Sequence, residues 1–285
     1  MAELCAVCEQ YIGTQGGGMD QAISMLAEKG KAIHIEFNPL RPDPITLPED
    51  AVFLVCHSSV EMNKAATSLF NERVVECRLA AQVIVKLNNL PWKNVRTLGE
   101  AQKLLGVPLR EMLTIVQNCL YDEPYSKESI LKILDVSDSE LNNSSLSNNT
   151  MHMSEFQLKK RATHVYSEAN RVLQFADICK NPGVSALEDL GILMNSSHDS
   201  CSKLYQCSCP ELDELVDVLR RSGTLGSRLT GAGWGGCTVS LLRIGNVASV
   251  LDAVKSEFYE KSLQRLKHLN KAVFVTSPAA GAQFF

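Results

Sequence analysis

Two glycine clusters carry the chemistry this chain could do. The denser runs Gly226-Ser227-Arg228-Leu229-Thr230-Gly231-Ala232-Gly233-Trp234-Gly235-Gly236-Cys237, and Gly231, Gly233, Gly235 and Gly236 fill four of six positions. Leu229 and Thr230 read as a strand end, and Cys237 to Leu242 as the next strand. A simple turn uses one or two glycines. Four predict a backbone pressed against another loop or a ligand, where its N–H groups could hold a phosphate. The stretch lacks G-x-x-x-x-G-K-[ST] and is followed by a strand, so it is neither a P-loop nor a dinucleotide fingerprint. The second cluster is Gly16-Gly17-Gly18-Met19-Asp20-Gln21, ahead of a helical pattern at Ile23, Leu26 and Ala27. It puts Asp20 in the first turn of a helix, where a carboxylate is stabilised by unpaired N–H groups and the macrodipole. There Asp20 could serve as a cap or as a reacting group.

The surrounding elements must position these clusters. Alternation over Ala32 to Phe37 predicts a strand, the proline-rich run 38–44 a loop, and the apolar run Val52 to Cys56 a buried strand. A long amphipathic helix is predicted over 62–87, with Met62, Ala66, Leu69, Phe70, Val74, Cys77, Ala81 and Ile84 as its stripe. Shorter helices follow at 98–105, 109–120 and 127–134. The Ser/Asn-rich stretch 142–149 reads as a loop. Helices over 156–178, 186–205, 211–221 and 247–258 and a closing strand at 272–276 complete the pattern. Strands and helices are interspersed, which points to an α+β fold.

With 285 residues, 45% apolar and 21% charged, the chain has the composition of a soluble globular protein. Its net charge of −4 provides no general field for nucleic acid. No run reaches the roughly 18 apolar residues of a membrane span, and no secretory leader is visible. Ten cysteines, including the Cys5–Cys8 pair, lack the second matched pair of a zinc site and read as reduced thiols. A cytoplasmic location is expected.

Together the clusters resemble the galactokinase branch of the GHMP small-molecule kinases, and within it the eukaryotic N-acetylgalactosamine kinases most. The resemblance also rests on Ser59-Val60-Glu61-Met62-Asn63-Lys64-Ala65-Ala66-Thr67, on Asn71 to Arg78, and on Leu193 to His198 with Cys209 to Asp213. It implies a GHMP kinase-like α+β fold. Residues 1–58 are expected to be an incomplete N-terminal, ribosomal S5-like domain carrying the catalytic aspartate. Residues 59–285 are expected to form a ferredoxin-like C-terminal domain. The family's Gly-Glu-His and Gly-Leu-Ser-Ser-Ser motifs do not occur in the sequence, so a truncated form is expected, inactive alone.

The resemblance further implies ATP- and Mg²⁺-dependent transfer of phosphate to the anomeric hydroxyl of galactose or N-acetylgalactosamine, by a monomer without nucleic-acid or membrane partners. Asp20 is implied as the catalytic residue, with Gly17 and Gly18 beside it at the sugar. Asn63 and Lys64 are implied at the nucleotide, and Gly231, Gly233, Gly235 and Gly236 behind the phosphate loop. Phe70 stands where galactose-specific relatives carry a sugar-contacting tyrosine. His198 and Asp199 look catalytic in isolation but fall in a structural stretch of the family. The rival reading is a non-catalytic relative: a sensor, an interaction protein or an inert fragment.

Overall fold

The structure is a computed structural model that describes residues 4, 5, 8, 18–37, 39–62 and 67–282. A helix, α1 (Met19–Leu26), precedes an antiparallel hairpin of β1 (Lys31–Glu36) and β2 (Arg41–Thr46). β2 corrects the reading of 38–44 as a loop. Pro42 and Pro44 lie opposite Ile35 and Ile33. Being two residues apart, they share one phase of the strand. A lone hairpin tolerates proline there because that phase can face away from the partner strand.

β3 (Ala51–His57) follows and is the middle of the main sheet. Next comes a helical stretch: α2 (Leu69–Leu87), α3 (Leu98–Leu105), α4 (Leu109–Cys119), α5 (Lys127–Leu134), α6 (Asp138–Ser144) and α7 (Leu158–Lys180). A two-residue pairing of β4 (Tyr125–Ser126) with β5 (Glu155–Phe156) ties its loops. Then come α8 (Ala186–Ser200), which runs into a π-helical turn at Cys201–Tyr205, and α9 (Pro210–Arg221). The hairpin β6 (Gly226–Leu229) and β7 (Cys237–Arg243) follows. The chain closes with α10 (Val247–Val254), a second π-helical turn at Lys255–Tyr259, α11 (Leu263–Lys267), α12 (Leu269–Ala272) and β8 (Val273–Thr276).

The chain forms two compact units, one of Met1–Met62 with Arg171–Phe285, the other of Asn63–Asn170. This geometric division is separate from the family domains expected at 1–58 and 59–285.

In the first unit the sheet order is β6-β7-β3-β8, every neighbour antiparallel. In chain order that is second, third, first, fourth, with helices after the first and third strands. This is the β-α-β-β-α-β plan of ferredoxin-like folds, which the family resemblance implies, and its first strand, β3, falls within residues 1–58. Both faces are covered, which explains the unbroken apolar run of β3. Leu54, Cys56 and Leu242 meet Leu215, Leu219, Val250, Val254 and Phe258 on one side. Phe53, Val239 and Leu241 meet Leu187, Leu190 and Met194 on the other.

In the second unit α2 starts at Leu69, not Met62, a second correction. Residues 61, 62 and 67 are not helical, and 63–66 lie outside the described residues. The Val60 carbonyl, just upstream, accepts the Gly236 N–H at 2.8 Å, which ties the chain there to the loop before β7. From Leu79 to Val85 every residue of α2 is buried, so its C-terminal half is a central helix rather than an amphipathic one. A third correction concerns 142–149. Ser137 and Glu140 form a capping box that starts α6 and carries the helix to Ser144.

One buried ionic cluster fastens this unit. The Glu76 carboxylate receives Arg161 Nε at 2.6 Å, Arg73 at 3.1 Å and the Gln157 N–H at 2.7 Å. Glu76 and Arg161 are 2% and 1% exposed. Burial pulls the Arg161 guanidinium below its ordinary range, and Glu76 opposes that shift.

Candidate active site

Asp20 is the second residue of α1. Gly18 takes the N-cap position with φ +81° and is buried. Its carbonyl accepts the Ala22 N–H at 3.0 Å. Glycine adopts this left-handed turn without penalty, and the turn directs the chain into the helix. Asp20 is exposed. Among the described residues its carboxylate has no hydrogen-bond or ion-pair partner, so the side chain is not used as a cap. A carboxylate left open at a helix start is available to an external hydroxyl. The segment after β8 secures the other end of α1: Gly281 and Ala282 donate to the carbonyls of Ala27 and Ser24 at 2.8 and 2.7 Å.

The glycine loop joins β6 to β7 and is pressed between two other loops, one of the two outcomes its density predicts. On one side the Trp234 N–H donates to the Cys207 carbonyl at 2.6 Å. Gly233 has φ +90°, and any Cβ there would run into that carbonyl. On the other side the Gly236 N–H reaches Val60 and the Ser58 N–H reaches the Gly236 carbonyl, both at 2.8 Å. A Cβ on Gly235 would lie 2.7 Å from the Val60 oxygen. Gly231 and Ala232, at the start of the loop, leave their N–H groups without a partner among the described residues, so this part can donate to an anion.

Behind the loop, α8 and α9 lock onto β6. The Asn195 side chain donates to the Leu225 carbonyl at 3.2 Å and accepts the Ser227 N–H at 3.0 Å. His198, 4% exposed, accepts the Leu229 N–H at Nδ1 and places Nε2 3.1 Å from Asp213. Burial holds its pKa below the ordinary 6.5, with Asp213 pulling the other way. A neutral ring donating from Nε2 satisfies both contacts, so His198 is a latch rather than a reacting base. Asp199 pairs with Arg220 at 2.9 Å, and Arg220 also donates to the Asn195 carbonyl at 2.8 Å. Sequence reasoning missed this latch as a unit. Its signal was present in the i, i+3 spacing of Asn195 and His198 on one helix.

Of the site residues expected from sequence, Gly18 and Asp20 are adjacent on α1, and Gly231, Gly233, Gly235 and Gly236 are together in the docked loop. Gly17, Asn63 and Lys64 lie outside the described residues. Phe70 is half-buried in the first turn of α2. The ten cysteines are thiols and not disulfides. Cys56, Cys179, Cys201 and Cys207 are buried, Cys8 is exposed and the other five are half-buried. Among the described residues no cluster of three or more His, Cys, Asp or Glu is placed to hold a metal. Among the described residues no helix is long and apolar enough to cross a membrane.

Residues 176–261 match the family described as GHMP kinases C terminal. The chain is 39% identical to a galactokinase of Dictyostelium discoideum, over 99% of its own length and 61% of the relative's. It is 32% identical to a galactokinase of Saccharomyces cerevisiae, over 99% and 62%. It therefore spans about three fifths of each relative. Among solved structures, the galactokinase of Lactococcus lactis complexed with galactose superposes with a TM-score of 0.65 at 23% identity, over 99% of this chain and 59% of that one. That likeness supports the fold.

Proposed function

We propose that this chain, a galactokinase homologue whose residues 176–261 are a GHMP kinase C-terminal domain, acts in ATP-dependent phosphorylation of the anomeric hydroxyl of a hexose. Asp20 carries the proposal: an exposed carboxylate at the start of α1, without a partner among the described residues and introduced by a buried glycine turn. Bound ATP with Mg²⁺ supplies the phosphoryl group. Asp20 receives the hydroxyl hydrogen bond, orients the oxygen and takes on part of its proton. Phosphoryl transfer is chiefly positioning and charge stabilisation, so orientation by one fixed carboxylate is a large share of what this part of the protein contributes. Gly17 and Gly18 let the backbone approach the sugar ring. Asn63 and Lys64 serve the nucleotide, and the docked glycine loop braces the phosphate site from behind.

We further propose that N-acetylgalactosamine is accepted alongside galactose. Phe70 supports this, because a phenyl ring in place of a tyrosine removes a hydroxyl and leaves room for a 2-substituent. The 285 residues contain neither Gly-Glu-His nor Gly-Leu-Ser-Ser-Ser, so the polypeptide by itself is expected to turn over below about 1 s⁻¹, the low end of ordinary enzymes. The test joins it to the part of the Dictyostelium galactokinase outside the match and assays sugar 1-phosphate from ATP, Mg²⁺ and each sugar. Turnover that appears in the chimaera and collapses in its Asp20→Asn variant supports the proposal. An active chimaera indifferent to Asp20→Asn overturns the role of Asp20.

A further inference from the structure

A cavity of about 440 Å³ opens in the first unit at the end of the main sheet where β3 stops and β8 begins. Its size falls in the range of small-molecule sites. It is lined by His57 at the end of β3, Ser59 and Glu61 just beyond, and Gln264, His268 and Lys271 from α11, α12 and the short turn joining them. None of these residues belongs to the phosphorylation site argued above.

The scaffold around the cavity is fixed. The buried Tyr259 hydroxyl donates to the His57 carbonyl at 2.7 Å. Ser58 and Val60 are bound to Gly236 of the glycine loop. Ser59 is held at φ +64°, a costly conformation for a residue with a side chain. Its N–H donates to His57 Nδ1 at 3.0 Å. In the neutral ring the proton then sits on Nε2, so His57 is a donor at its free nitrogen.

One lining group is buried without a partner, and Glu61, Gln264, His268 and Lys271 are exposed and open to a ligand. Ser59 Oγ is buried with no hydrogen-bond partner. The side chains of Glu61, Gln264, His268 and Lys271 likewise have none among the described residues. A cation, two imidazoles, an amide and a hydroxyl thus face the same space as one carboxylate. Lysine and imidazole N–H groups suit a phosphate. The carboxylate repels phosphate but accepts hydrogen bonds from hydroxyls.

We propose that this cavity binds a phosphorylated polyol, with the phosphate against Lys271, His268 and His57 Nε2 and a hydroxyl donating to Glu61. The proposal is independent of the kinase reading. The test is calorimetric titration of the 285-residue protein with glucose 6-phosphate, glucose and inorganic phosphate. Saturable binding of glucose 6-phosphate is expected, about tenfold or more tighter than either fragment. Lys271→Gln should weaken it by about tenfold. Glu61→Gln should weaken glucose 6-phosphate but tighten inorganic phosphate, because it exchanges a charged acceptor for a weaker neutral one and removes a repulsion. Asp20→Asn should leave binding unchanged. The proposal is overturned by absence of saturation, by equal affinity for inorganic phosphate, by indifference to Lys271→Gln, or by loss of binding in Asp20→Asn.

Discussion

Replacing Glu76 by glutamine should strongly destabilise the second unit. The substitution keeps the size of the side chain and removes its charge. Arg161 would remain 1% exposed with its carboxylate partner at 2.6 Å gone. The bond from Arg73 would also change character, and the amide would have to turn its NH₂ away from the Gln157 N–H, which donates at 2.7 Å. Removing one partner of a buried pair costs about 3–5 kcal/mol, because the other charge stays desolvated and uncompensated. With a urea m-value of about 2 kcal/mol/M, the midpoint should fall by about 1.5–2.5 M. Circular dichroism at 222 nm would follow this loss, since the unit is largely helical. A double replacement, Glu76→Leu with Arg161→Met, should recover most of it, because apolar residues of similar volume have no charge to desolvate. A Glu76→Gln midpoint within about 0.5 M of the parent, equivalent to about 1 kcal/mol at that m-value, would refute the argument. The cluster would then be as weak as a solvated surface pair.

Three further outcomes are expected. Asp20→Asn in the active chimaera should lower kcat by about 10²-fold or more, near 2.7 kcal/mol in the barrier, with unchanged nucleotide affinity; retained turnover would leave Asp20 an ordinary helix-start residue. Gly233→Ala should cost about 2–4 kcal/mol, combining strain at φ +90° with a collision at the Cys207 carbonyl. Gly231→Ala, which meets nothing within 4 Å, should cost only about 1–2 kcal/mol for its backbone, and equal losses in urea melts would contradict the docking geometry. His198 sets a pH dependence. Its folded pKa lies below the ordinary 6.5, so the unfolded chain binds the proton more readily and stability falls as pH drops through that value. The contribution is fully present above about 6.5 and lost as pH falls through the folded pKa; a His198→Asn variant should show a flatter fall between pH 7.5 and 5.5, and an unchanged slope would dismiss the latch.

What was legible in the sequence was whatever depends on near neighbours. The apolar run of β3 and the helix start before Asp20 each rest on a few adjacent residues. Proline content misled at β2 because composition does not reveal phase. Pro42 and Pro44 are compatible with a strand for being two apart. Ser/Asn content misled at 142–144 because the capping box of Ser137 and Glu140 lies upstream of the polar run. The partners of Glu76 could not be read at all, since Arg161 is 85 positions away.

The glycine loop and Asp20 stand at opposite ends of this distinction. Glycine density announces that something approaches the backbone, but its identity is set by chain segments remote in sequence. Here the neighbours are the carbonyls of Cys207 and Val60, so Gly233 and Gly235 are accounted for by protein contacts alone. Asp20 shows the converse. A capping aspartate would have spent its carboxylate on a backbone N–H. This one has no partner among the described residues, and Gly18 already fills the cap position. The glycines of one cluster are explained once the fold is known, whereas the carboxylate of the other is not. That unexplained group is why the functional proposal rests on Asp20 and not on the more conspicuous loop.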